Sequence, residues 1–203
     1  MEQNILKHIR KAVDEGFSYL DYRAIVEQLV LEGESTGKEQ TEVLTNYSLL
    51  NHKRMKRLDK TTKLSPDVIA KLQSIKEQVT WVVITESWCG DAAQTLPIIN
   101  KFAEATDKID LKIVLRDENE ELMDNFLTNG SRSIPKLIML DKGLCKVLDV
   151  WGPRPSIATN LVQEYKEKHG GLSPEFKESL QVWYNKNKGE NTIEDLLELL
   201  SLK

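Results

Sequence analysis

Thiols and imidazoles are scarce in this sequence. Its 203 residues include two cysteines, Cys89 and Cys145, and three histidines. Two thiols cannot brace a chain of this length with disulfides, and neither stands at zinc-ligand spacing from a histidine. A disulfide scaffold and a metal site are therefore not expected. Long apolar runs are missing as well. Stretches such as Trp81 to Ile84 and Leu137 to Leu140 fall far short of the roughly 18 residues that suggest a membrane span. Lys7, His8, Arg10 and Lys11 stand among isolated apolar residues with no apolar run behind them, which argues against an export signal and for a cytoplasmic protein. Positive charge is not in excess either. With 28 basic against 32 acidic residues the formal charge is −4, and nucleic acid, which needs a dominant cationic face, is not an expected partner.

What is present divides into two units. Over 5–58, apolar residues recur at helical spacing: Ile5, Ile9, Ala12 and Val13, then Tyr22, Ile25, Val26, Leu29 and Val30. After a break over 33–37, with two glycines and small polar residues, the stripe Val43, Leu44, Tyr47, Leu50 and Met55 resumes. Two or three helices are predicted, as an N-terminal helical extension over 1–63. Its end is basic, with His52, Lys53, Arg54, Lys56, Arg57, Lys60 and Lys63 close together. A solvated helix face and a contact with an anion or a partner are both open readings of that run.

The second unit, 64–203, opens on Ser65-Pro66-Asp67, a capping serine before a proline at the first helical position. The segment from Val79 to Thr85 is β-branched and almost continuously apolar, which predicts a strand covered on both faces. A helix over 92–105, a strand over 111–115 and a helix over 118–127 are expected next, an order that implies a right-handed parallel crossover. Residues 137–140 and 144–150, joined by Asp141-Lys142-Gly143, read as a hairpin. Helices over 156–168, 174–185 and 192–200 complete an α/β domain with additional C-terminal helices.

Chemistry concentrates where the first strand ends. Thr85 leads through Glu86-Ser87-Trp88 to Cys89-Gly90-Asp91-Ala92, with a helix starting at about Gly90. A thiol at a helix N-terminus faces unpaired N–H groups and the positive end of the helix dipole. That predicts a thiolate stabilised by about one pKa unit or more. Packing as a small buried hydrophobe is the alternative.

These residues resemble the thioredoxin superfamily. Trp88-Cys89-Gly90-Asp91-Ala92 is similar to the Trp-Cys-Gly-Pro-Cys active site, and Pro97 stands where thioredoxins carry the proline that kinks the active-site helix. Ser133-Ile134-Pro135 is similar to the superfamily's hairpin entry, whose proline is cis and faces the nucleophilic sulfur. The resemblance covers roughly 65–168. Arg116-Asp117-Glu118-Asn119 and the stretch from Asn129 to Lys136 narrow it to a bacterial subgroup of thioredoxin-like proteins with a single active-site cysteine. It implies a thioredoxin-like fold, a central mixed sheet flanked by helices, with Cys89 and Pro135 as catalytic residues. Trp88, Gly90, Asp91, Ala92, Arg116, Arg132 and Ile134 would bind substrate or tune the thiol.

Two departures from the family pattern matter. Ala92 occupies the place of the resolving cysteine and cannot attack a mixed disulfide. Cys145, just past the hairpin turn, is expected at the far end of the sheet. Asp91 brings a carboxylate that disfavours the thiolate. Arg116 and Arg132, at the same sheet edge, would offset it and hold an anionic substrate, or would only pair with Asp117, Glu118 or Glu86. Lys136 is a weaker candidate of the same kind. Trp88 would shield the sulfur, form a substrate platform or wall the core. Gly152, in Trp151-Gly152-Pro153-Arg154-Pro155, would allow a close backbone approach at the rim.

The expected function is that of a monothiol thiol-disulfide oxidoreductase acting through Cys89. It needs no cofactor, with glutathione or another low-molecular-weight thiol as co-substrate and a disulfide-containing protein or small thiol as substrate. The competing readings are an inactive interaction module on the same fold and a redox sensor in which Cys89 is oxidised to sulfenic acid. A homodimer through the N-terminal helices is a further expectation.

Overall fold

The computed structural model describes residues 2–202. Met1 and Lys203, the outer ends of the two expected units, lie outside the described residues. Three N-terminal helices, α1 (Glu2–Glu15), α2 (Tyr19–Glu32) and α3 (Glu42–Thr61), precede α4 (Pro66–Gln73). Ser18, Thr41 and Ser65 cap α2, α3 and α4, each side chain accepting a backbone N–H of the first turn. Strand β1 (Val79–Thr85), helix α5 (Gly90–Glu104) and strand β2 (Ile109–Leu115) follow, then β3 (Lys136–Asp141) and β4 (Val147–Trp151). The sheet runs β2-β1-β3-β4, with β1 parallel to β2 and the other two pairs antiparallel.

β1 is buried along its whole length because both faces of the sheet are covered. Alternate residues feed two cores. Trp81, Val83, Ile113 and Leu137 join Tyr22 and Met55 of the N-terminal helices, Leu96 and Phe102 of α5, and Leu196 near the C-terminus. On the other face Val82, Ile84, Val114 and Ile138 meet Ile9 and Ala12 of α1, and Cys89 itself belongs to this second cluster. The α1–α2 junction also covers the open edge of β2, where Phe17 and Ile113 exchange both backbone hydrogen bonds, at 2.8 and 2.9 Å.

The helix expected over 118–127 is largely replaced. A 3-10 turn (Arg116–Glu118) and the short α6 (Glu120–Met123) stand there instead. Asn119 leaves helical geometry, and its side-chain amide donates to the Leu115 carbonyl at 2.9 Å, a local bond that competes with the helix. The chain closes with α7 (Ser156–His169), α8 (Pro174–Asn187) and α9 (Glu190–Leu199). Helices α7 and α8 share a small apolar cluster of their own, Ala158, Val162, Leu180 and Tyr184. No described helix is long and apolar enough to cross a membrane.

Gly152, just after β4, is the glycine on which the site depends. Its φ is 109°, in the region that disfavours side chains, and a Cβ there would overlap the Pro135 carbonyl oxygen. The close backbone approach expected at the rim is thus a contact with the Pro135 loop. Gly152→Ala should cost about 2–4 kcal/mol in urea unfolding. A variant as stable as the parent would contradict this packing.

Candidate active site

Two segments distant in sequence, the loop between α2 and α3 and helix α3 itself, hold the turn between β1 and α5. The Ser87 N–H donates to Thr36 Oγ1 (2.7 Å), Ser87 Oγ accepts the Thr36 N–H (3.0 Å), and Ser48 Oγ lies 2.6 Å from Ser87 Oγ. Asn51 donates its amide to the Ser87 carbonyl at 2.9 Å, and Arg54 in turn donates to Asn51 Oδ1 at 2.9 Å. Thr36, Ser48, Asn51 and Ser87 are all nearly excluded from solvent, so these bonds satisfy groups that would be costly to leave unmade. The break at 33–37 is therefore an anchor as well as an interruption of the helices.

Cys89 is the N-cap of α5. Its Sγ accepts the Ala92 N–H at 3.4 Å, and its S–H donates to the Ile134 carbonyl at 3.2 Å. The Ile134–Pro135 peptide is cis, as is Gly152–Pro153. Cys89, Ile134, Pro135, Gly90 and Ala92 thus converge on one spot. Trp88 stands beside them with the Arg116 guanidinium 4.7 Å from its ring centroid.

The electrostatics differ from the sequence expectation. Burial, and after it the Asp91 carboxylate, push the Cys89 thiol up to about 12, against the pull of the Ala92 and Asp91 N–H groups and of Arg154. The helix terminus does stabilise the anion, but desolvation of a cysteine only 7% exposed is the larger effect. Asp91 is 9% exposed and also held above the ordinary carboxylate range by burial, which Arg154, a Tyr184 hydrogen bond and Arg54 oppose. Its Oδ2 lies 2.7 Å from the Arg154 guanidinium, and its Oδ1 accepts the Tyr184 hydroxyl at 3.0 Å.

Of the two readings left open for Arg116 and Arg132, pairing with nearby carboxylates is the one their contacts show. Arg132 lies on the surface, clasping Asp124 at 2.6 Å and Glu120 at 2.8 Å. Arg116 reaches Trp88, with its charge matched by Asp117 at 2.8 Å. Lys136 is buried and donates to Thr128 Oγ1 at 2.6 Å. Sharing a sheet edge did not bring these groups to Cys89, because each found a nearer partner. Arg154, Tyr184, Gln181 and Arg54 take the expected places. Arg154 belonged to the rim segment and Arg54 to the basic run, but nothing in α8 marked Tyr184 or Gln181. Cys145 is exposed in the β3–β4 turn, its thiol donating to the Gly143 carbonyl. That turn is separated from the Pro135 end by the length of β3, about 16 Å at roughly 3.3 Å per residue. Among the described residues no three or more His, Cys, Asp or Glu side chains converge to hold a metal ion.

Glu86, fully buried, accepts the Asp117 N–H through Oε1 at 2.9 Å, while its Oε2 makes no geometrically good hydrogen bond among the described residues. Burial raises its pKa above the ordinary 4.5, so the folded state favours the protonated acid. The resulting stability is complete below the ordinary value and is lost as pH rises through the raised one. Glu86→Gln should therefore gain about 1–3 kcal/mol over the parent at pH 8, in urea unfolding, with the gain vanishing near pH 4. Equal gains at both pH values would contradict the assignment. Asp91→Asn removes the charge opposing the thiolate. In a Cys145→Ala background it should move the Cys89 alkylation profile down by about one pH unit or more, whereas an unmoved profile would contradict the coupling.

The comparisons agree with this architecture. The family model described as thioredoxin matches residues 37–166, more than half of the chain. No curated protein matches. A crystal structure of a protein of unknown function from Pseudomonas aeruginosa is similar at a TM-score of 0.61 and 18% identity, over 94% of this chain and 95% of that one. An HIV epitope scaffold is similar at a TM-score of 0.60 and 16% identity, over 95% of this chain and 96% of its own. At such identities the two structures speak for the fold alone. The family match spans the Cys89 turn, the parallel crossover and the Pro135 hairpin together, and the chain belongs to the thioredoxin family.

Proposed function

We propose that the protein catalyses monothiol thiol–disulfide exchange through Cys89. The observation that carries this reading is the position of the sulfur. It caps α5, within hydrogen-bond reach of the Ala92 N–H, and faces the carbonyl that precedes Pro135. The Cys89 thiolate attacks one sulfur of a mixed disulfide. The Cys89–S bond forms as the S–S bond breaks, and the departing thiolate takes up a proton. Ala92 offers no second sulfur. An external thiol, glutathione or another low-molecular-weight thiol of a reducing compartment such as the cytoplasm, therefore attacks Cys89–S–S–R. It releases Cys89 as thiol and leaves as the oxidised disulfide.

With burial pushing the thiol up to about 12, Cys89 is almost wholly protonated at neutral pH. Exchange on this reading passes through a state in which the sulfur meets water or substrate. Helix α8 covers the start of α5 through polar bonds, Tyr184 to Asp91 and Gln94 to Gln181, which open more readily than an interdigitated apolar face. The same burial favours a second reading, an interaction module without turnover. With a glutathionylated peptide and glutathione, Cys145→Ala should release peptide thiol above the uncatalysed rate. Adding Cys89→Ser should return the rate to background. Undiminished release without Cys89 would exclude exchange at this site, and a partner captured equally well by Cys89→Ser would favour the interaction module.

A further inference from the structure

Arg54 is a half-buried cation that no carboxylate matches within ion-pair distance among the described residues. Its guanidinium donates to Asn51 Oδ1, and the Arg57 cation acts on it with the same sign of charge. The Arg54 Nη1 lies 3.7 Å from where a Cβ of Gly90 would stand, and the Gln181 amide nitrogen lies 3.4 Å from the same point. Gln181 uses its oxygen to accept from Gln94, which turns its NH2 group toward Gly90. The Nε of Arg154, whose guanidinium pairs with Asp91, is buried without an acceptor among the described residues. Asp91 supplies one negative charge against two guanidinium groups, and Arg154 with Tyr184 already engages it. Donors therefore outnumber acceptors around the residue that follows the reactive sulfur. A partly desolvated cation with unused donors is complemented best by a carboxylate, in a charge-assisted hydrogen bond.

We propose that Arg54 and Gln181 form a carboxylate-binding subsite beside Cys89, selecting disulfides of small peptide thiols that carry a carboxylate near the sulfur. This rests on the exchange reading for its chemistry, but the subsite itself does not require turnover. It transfers the anion-holding role once expected of Arg116 and Arg132 to the N-terminal helix α3 and to α8. It also gives Arg54 a function within a basic run whose other members pair with Glu27 and Asn185 or face solvent.

Two measurements separate the subsite from the chemistry. S-methylglutathione carries the carboxylates and no reactive sulfur. Its binding to Cys89→Ser, followed by amide chemical shifts, should weaken about tenfold with Arg54→Gln, recover in part with Arg54→Lys, and fall with added salt. Gln181→Leu, which leaves the Asn51–Ser87 clasp untouched, should weaken it in the same direction. In the Cys145→Ala background, mixed-disulfide formation at Cys89 is followed by intact mass with glutathione disulfide and with neutral bis(2-hydroxyethyl) disulfide. The ratio of the two rate constants should drop about tenfold with Arg54→Gln. If both disulfides react and neither that ratio nor S-methylglutathione binding depends on Arg54 or Gln181, the subsite is wrong while exchange stands. If Cys89 reacts with neither disulfide but binding depends on Arg54, exchange is wrong and the subsite stands.

Discussion

A carboxylate with almost no access to water, at the second residue of α5, sets the terms for everything around it. Asp91 replaces the proline that the thioredoxin pattern carries between the two cysteine positions, and burying it demands compensation. Arg154 supplies the charge and Tyr184 the hydroxyl. To bring them there, the chain needs the segment after β4, shaped by Gly152 against Pro135, and a helix beyond the thioredoxin-like core, α8. Burial does most to raise the pKa of Cys89 and the same carboxylate adds to it, so the site's structural anchor contributes to the reluctance of its thiol.

The N-terminal helices serve the site as directly. Thr36, Ser48 and Asn51 satisfy the polar groups of Ser87, two residues before the thiol, and Ile9 and Ala12 pack in the apolar cluster that contains Cys89. The active-site turn is thus clasped from both ends of the chain. A thiol held this way is shielded from solvent, and its exposure depends on how the surrounding helices open.

Much of the architecture could be read from residue pattern. The alternation of β1 with α5 and β2 follows from a continuous β-branched run, a helical stripe and a second run, and Cys89 as N-cap follows from its place between strand and helix. Local chemistry carried these inferences because each depends on neighbours within a few residues. The expectation for 118–127 failed in part for the same kind of reason: Asn119 bonds back to Leu115 and separates the 3-10 turn from α6, so no continuous helix starts at Glu118.

The sequence by itself determined the fold class, the position of the thiol at a helix start, the missing second sulfur and the presence of a carboxylate next to it. It could not decide which cation meets that carboxylate. Arg116 and Arg132 had equal claim to the same sheet edge, yet Asp117, Asp124 and Glu120 lie within their short reach, whereas Arg154 and Tyr184 arrive from later in the chain. Nor could pattern set the balance between dipole and burial at Cys89. That balance depends on how completely distant helices exclude water from one sulfur, and desolvation is a property of the whole packed structure.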